Sequence, residues 1–289
     1  MPEPSTPSSK IPIDTQFMFS NHKNVHKAGI EKRQRKLLRK IPSIGAFLAP
    51  DEKVLLVIPC ISPTSFFEQW SMGWVFMIVN RALLVVTDKG MFHVPAKANY
   101  DYRHSIAKFN YADCKELRVK GRFLYVQYAN GEKERFMYLP RAQRLKLKAY
   151  LPTVKLGANA AAKAGRTHLC PRCTRPLAPD TYQCGGCRLP FKDMATATKL
   201  SLLIPGGGYF YTGHPILGLG DFVVELALLA LVIGGIAGMI AGEPTAMGNT
   251  IFFGIVLALE KLLTIHHAKR YISEYIPLEK KIRLQPATA

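Results

Sequence analysis

The sequence predicts a multi-domain protein: a β-rich domain closed by a C-terminal helix, a small cysteine ribbon, and an α-helical transmembrane hairpin. Three observations carry that expectation. Between residues 51 and 139, β-branched and aromatic runs alternate with Gly-, Asn- and Asp-containing turns. Two Cys-x-x-Cys pairs, Cys170/Cys173 and Cys184/Cys187, stand ten residues apart. Residues 222–240 hold one ionisable group, Glu225, in an otherwise apolar stretch.

Residues 1–25 contain Pro2, Pro4, Pro7 and Pro12 among Ser and Thr with no apolar period, and are expected to be disordered. Residues 26–45 read as a basic helix with Ile30, Leu37 and Leu38 on one face. Lys32, Arg33, Arg35, Lys36, Arg39 and Lys40 are its candidate contacts to anionic lipid or a partner, and a plain solvated helix is the competing reading.

The β-rich domain is expected over 50–152. Its strands are Lys53–Pro59, Trp74–Thr87, Met91–Val94, Glu116–Val119, Phe123–Tyr128 and Arg135–Tyr138. Asn130-Gly131 between two of them predicts a type I′ hairpin. A helix follows Pro140, with Leu145, Leu147 and Leu151 among basic residues. Met72–Val86 is too short for a membrane span and contains Arg81. Residues 83–90 (Leu-Leu-Val-Val-Thr-Asp-Lys-Gly), Tyr111-Ala112-Asp113 leading into Leu117, residues 121–125, and the helix from Arg141 to Leu151 together resemble a bacterial pleckstrin-homology (PH) or GRAM-like domain. That resemblance covers about a third of the chain and implies binding of phosphoinositide, another ligand or protein. No compact Lys-x-n-Lys/Arg-x-Arg phosphate motif accompanies it. Residues 153–167, rich in Ala, Gly and Lys, read as a linker.

Of six cysteines, Cys60 and Cys114 lie alone in strand-like apolar surroundings and are expected to be buried free thiols. The other four fall within 168–192. A Cys-x-x-Cys knuckle aims two thiolates at one point, with Gly185 and Gly186 easing the turn, and two knuckles supply a tetrahedral site. Residues 176–179 read as the turn of a ribbon hairpin and Thr181-Tyr182 as its returning strand. The segment resembles a zinc ribbon, and structural Zn2+ on Cys170, Cys173, Cys184 and Cys187 is the expected cofactor. Mononuclear iron and a redox role are the alternatives.

The membrane region is expected over 198–275: a re-entrant or interfacial piece at 200–212, then spans at about 216–240 and 250–270, then a tail over 276–289. Pro205, Gly206, Gly208, Tyr211 and Gly213 resemble the Pro-Gly-x-Gly…Tyr-x-Gly lead-in of small two-span membrane families. Gly234, Gly235, Ala237 and Gly238 form a small-residue face suited to self-association, so a homo-oligomer is one expectation. Asp221 and Glu225 share a helical face and can meet Glu260, Lys261 or His266. An ion path and a Glu–Lys pair that locks the hairpin are the two readings.

Charge divides the chain in the same way. Residues 1–190 hold 31 of the 39 Lys and Arg against 13 of the 20 Asp and Glu, a net of +18 out of +19. Anionic lipid at a bilayer, or the positive-inside rule alone, accounts for that bias. Met1–Lys10 has no apolar core of a secretory signal, and cations flank both outer ends of the hairpin. The expected location is the inner membrane, multi-pass, with the soluble domains and both termini cytoplasmic. No motif of a nucleophile elbow, P-loop or metalloprotease is present, and His93, His104, His214, His266 and His267 are scattered, read as surface or interfacial. The expectation is a non-enzymatic adaptor or regulatory protein that contacts the bilayer, a protein partner or anionic lipid. A transporter subunit using the acids of the first span is the alternative, and nucleic acid is disfavoured because the basic residues are dispersed.

Overall fold

A computed structural model describes residues 11–157, 165–279, 282 and 284. The expectations for residues 1–10, for linker positions 158–164 and for Lys280, Lys281 and Arg283 fall outside the described residues. The chain divides into two compact units, one built from residues up to Pro179 with Gly185–Cys187, the other from Asp180–Cys184 with Arg188–Lys280.

The first unit is β-rich. Strands β1 (Val54–Ile61), β2 (Arg81–Thr87), β3 (Gly90–Pro95) and β4 (Ile106–Asn110) form an antiparallel meander, and β8 (Thr167–Leu169) adds to it beside β4. A second sheet holds β5 (Cys114–Lys120), β6 (Phe123–Tyr128) and β7 (Lys133–Phe136), and helix α5 (Arg141–Tyr150) follows it. One face of the first sheet, with Leu56, Ile58, Leu84 and Val86, packs on Leu124, Val126 and Phe136 of the second sheet and on Leu147 of α5.

The opposite face is covered too. Helices α1 (Thr15–Phe19) and α2 (Ala28–Leu38) bring Met18, Phe19, Leu37 and Leu38 onto Val57, Leu83, Val85 and Phe92. A sheet buried on both sides needs apolar residues at successive positions rather than alternate ones. That requirement explains the continuous runs Val-Leu-Leu-Val-Ile in β1 and Ala-Leu-Leu-Val-Val in β2. Gln34 of α2 fixes the attachment: its amide donates to the Val57 carbonyl and accepts from the Val57 N–H, each at 2.9 Å.

Several expectations are corrected here. Residues 11–25 are ordered: Ile13 bridges to Val54, Asp14 caps α1, and Met18 is fully buried. The basic helix is not solvated all round, since its apolar face lies on the sheet. Residues 74–79 are helical, not strand. Helix α3 (Phe66–Met72) starts at a capping box in which Ser65 Oγ accepts from the Glu68 N–H at 3.1 Å and Glu68 Oε2 accepts from the Ser65 N–H at 2.7 Å. A 3-10 turn and α4 (Phe76–Val79) follow before β2 begins. Strand β4 escaped the sequence reading because Lys108 interrupts its apolar pattern; the ammonium passes over the Phe92 ring at 4.8 Å to reach Glu52 at 2.7 Å. At the Asn130-Gly131 hairpin only Gly131 has positive φ (+92°), and its N–H bonds the Tyr128 carbonyl. That is a type I turn ending in a left-handed glycine, not type I′.

The second unit is helical. Helix α6 (Met194–Leu203) is capped by Asp193, which accepts from the Thr196 N–H at 2.8 Å. The segment expected to be re-entrant resolves into the end of α6 and helix α7 (Gly207–Thr212). Gly206 between them has φ +66°, and a Cβ there would lie 2.1 Å from the Gly218 carbonyl oxygen. Helices α8 (Pro215–Ile240) and α9 (Ala246–Ile272) are long and apolar enough to cross a membrane. Only 11% and 6% of their most apolar stretches are buried, unlike the core helix of a soluble protein. The small residues of α8 serve this hairpin: a Cβ on Gly235 would strike Thr250 of α9 at 2.3 Å, and one on Gly238 would crowd Ala246.

Candidate metal centre and buried carboxylate group

Two knuckles of matching geometry build the cysteine cluster. In the first, the Thr174 N–H bonds the Cys170 carbonyl at 2.9 Å and the Cys170 N–H bonds the Arg175 carbonyl at 2.8 Å. In the second, the Arg188 N–H bonds the Cys184 carbonyl at 2.9 Å and the Cys184 N–H bonds the Leu189 carbonyl at 2.9 Å. Each second cysteine is followed by a residue with left-handed φ, Thr174 (+61°) and Arg188 (+55°). The glycines are therefore not what makes the turn, contrary to the sequence reading. A Cβ at Gly185 would meet nothing, whereas one at Gly186 would press on the Arg175 side chain. The expected ribbon hairpin is also absent among the described residues: β8 pairs with β4, and the bridges Leu169–Pro176 and Gln183–Pro190 each close one knuckle.

The four Sγ atoms lie within 4.8 Å of one another, and Cys170 and Cys187 are 3.5 Å apart. Thiolates around one tetrahedral ion at about 2.3 Å would have edges of about 3.8 Å, so this cluster can hold one metal ion. Three of the cysteines are buried and Cys187 is half-buried. Cys60 and Cys114 stand apart as buried free thiols, each pushed up to about 12 by burial, which keeps them protonated and unreactive near neutrality.

A second cluster joins α8 and α9. Oxygens of Asp221, Glu225 and Glu260 lie within 4.8 Å of one another. Lys261 Nζ reaches Glu225 Oε2 at 2.5 Å and the Ser201 carbonyl of α6 at 2.7 Å. Thr264 Oγ1 lies 2.9 Å from Glu260 Oε1 and 3.2 Å from Asp221 Oδ2. Glu225 is 1% exposed, and its Oε1 and Glu260 Oε2 are buried with no hydrogen-bond partner. The sequence anticipated this meeting with Glu260 and Lys261. It missed Thr264 and Ser201, which carry no charge to flag them, and His266 is not part of the group.

The histidines read as surface or interfacial are not all so. His93, His214 and His267 are buried, with His93 on Ser62 Oγ at 2.8 Å and His267 on the Tyr209 hydroxyl at 2.5 Å. On α2, Lys32, Arg33, Arg35 and Lys36 are exposed, as is Arg39 just beyond it. Arg35 pairs with Glu31 at 2.8 Å, and Lys40 pairs with Asp101 at 2.6 Å.

No protein-family model matches the chain, and no curated protein does. Among solved structures, the chain is similar to the C-terminal domain of an unknown protein from Leishmania infantum, at 8% identity over 39% of this chain and 89% of that one. The TM-score is 0.26, which carries no structural or functional argument. What the chain is shown to have is a β-rich domain, four closely placed cysteines and two helices of membrane-spanning character.

Proposed function

We propose that this protein is a membrane-anchored, non-enzymatic adaptor or regulatory protein. It presents a PH-like β domain and a structural zinc site of two cysteine knuckles at the cytoplasmic face of the inner membrane, where they meet a protein partner or anionic lipid. The observation that carries this reading is the four-thiol cluster lying just ahead of two helices long and apolar enough to span a bilayer. Zinc is the occupant favoured by four sulfur ligands, and with every ligand position taken by cysteine it offers no open position to water or substrate. A centre of that kind holds surfaces in place. The division into an antiparallel meander of β1–β4 and a three-stranded antiparallel sheet of β5–β7, followed by α5, supports the PH-like assignment, with β8 as an added strand on the first sheet.

Affinity purification of the full-length protein in mild detergent, with mass spectrometry of what co-purifies, tests the adaptor role. A stoichiometric partner lost on removing residues 51–152 or 168–190 is the expected result. A protein that binds no partner and no liposome overturns it.

One observation favours a second reading, a subunit of a small oligomeric transporter: two buried carboxylate oxygens between α8 and α9 have no partner. Ion flux through proteoliposomes that is abolished by Asp221→Ala/Glu225→Ala, with insertion unchanged, would establish it. Unchanged flux removes it.

A further inference from the structure

The connection from β1 to β2 exposes an aromatic surface. Phe66 is 81% exposed, Trp70 73% and Trp74 69%, and Phe67 and Met77 stand beside them. The short helices that carry these residues bury Met72 and Phe76, and the Ser65–Glu68 capping box fixes where α3 starts. Folding therefore turns the aromatic rings of one short insert outward at a cost in apolar exposure, and large exposed apolar side chains gathered on one insert mark an interaction surface.

A basic cavity lies beside α4 of the same insert. The Phe76 ring lies 6.4 Å from that of Tyr138, and Tyr138 lines a cavity of about 300 Å³ together with Arg122, Arg141 and Arg144. Tyr138 itself has left-handed φ (+59°), a strained conformation for a side-chain-bearing residue and one that concentrates at binding surfaces. Among the described residues no acidic side chain pairs with any of the three arginines. Elsewhere in the same domain, cations do find acids, as Lys108 with Glu52 and Arg166 with Glu134. Arg141 and Arg144 also occupy the first turn of α5, where a cation gains nothing from the helix dipole and folding does not call for them.

We propose that this surface enters the interface of an anionic bilayer, with Phe66, Trp70 and Trp74 at headgroup depth and Arg122, Arg141 and Arg144 on phospholipid phosphate oxygens. The inference rests on the proposed attachment of the chain to a membrane. Tryptophan rings partition to the headgroup region, Phe66 adds apolar area beside them, and guanidinium groups match phosphate in charge and geometry. A single protein partner would need its own acidic and apolar surface in the same arrangement, whereas an anionic bilayer supplies both along its whole extent.

Trp70 and Trp74 are the chain's only tryptophans, so selectively excited tryptophan emission reads this surface alone. The full-length protein is reconstituted into phosphatidylcholine vesicles with or without phosphatidylglycerol, using lipids brominated near the headgroup as quenchers. The expected result is blue-shifted emission and severalfold quenching in the anionic vesicles. Arg122→Ala/Arg141→Ala/Arg144→Ala should remove most of that quenching, and added salt should weaken it. Solvent-like, unquenched emission from a chain that resists alkaline carbonate extraction overturns the inference and leaves membrane attachment standing. Release of the chain by carbonate overturns the attachment itself, and this inference with it. Quenching that ignores both phosphatidylglycerol and the arginine changes overturns the phosphate contact.

Discussion

The cysteine cluster and the carboxylate group differ in how each meets its charge. Four thiols gather from 18 residues of local turns. Three carboxylates gather from two long helices, yet they bring Lys261 and the Thr264 hydroxyl with them. The first arrangement can hold one metal ion, while the second holds part of its counter-charge within the chain. Similar closeness of ligand atoms therefore does not imply similar dependence on a metal.

Changes at the cysteine centre should have the largest effect. Cys184→Ser, or a strong chelator, is expected to release the metal and open residues 165–192 to protease, since structural zinc contributes on the order of 10 kcal/mol in small sites of this type. Limited proteolysis with mass mapping checks it, and an unchanged cleavage pattern would make the cluster a mere proximity of thiols. Next comes Lys261→Met, which leaves Glu225 buried without its partner and should cost about 3–5 kcal/mol. Thermal unfolding in detergent measures this; a negligible change would mean that the pair does not lock α8 to α9.

Within the β domain, Gln34→Ala should cost about 2–3 kcal/mol, because the Val57 N–H and carbonyl both lose their partner. Urea unfolding followed by circular dichroism reads it, and a smaller loss would show that α2 is held by apolar contact alone. Glu52 gives a pH signature. Burial acts to raise its pKa, but hydrogen bonds from the Ala49 N–H, Lys108 and Thr87 outweigh it and hold the carboxyl below its ordinary range. Its stabilising contribution is therefore complete above the unfolded carboxylate range and fades as pH falls through the lower folded value. Glu52→Gln should flatten the acid limb of a stability-versus-pH curve, and a parallel curve would refute the assignment. Smallest of all, Lys32→Ala/Arg33→Ala/Lys36→Ala should stay within about 0.5 kcal/mol, as exposed positions do.

How much was legible follows the range of the contacts. The knuckles lie within 18 residues, so spacing alone disclosed the four cysteines, though not that Thr174 and Arg188 take the left-handed turns. The apolar lengths of α8 and α9 were equally plain. Less legible was the role of residues 11–48: their sparse apolar positions, Met18, Phe19, Leu37 and Leu38, gain meaning only against a sheet whose second face needs covering. The helical insert was signalled by Ser65-x-x-Glu68, which the apolar run from Trp74 to Thr87 overshadowed. The arginine cavity could not be read locally, because Arg122 and Arg141 come from different turns that only the fold brings together.

Elemental analysis of the full-length protein in mild detergent is the most direct test of the difference between the two clusters. The account predicts one zinc per chain, retained when Glu225 and Glu260 are changed to Gln and lost in Cys184→Ser. A protein without metal, or one whose metal follows the carboxylates and not the cysteines, would contradict it.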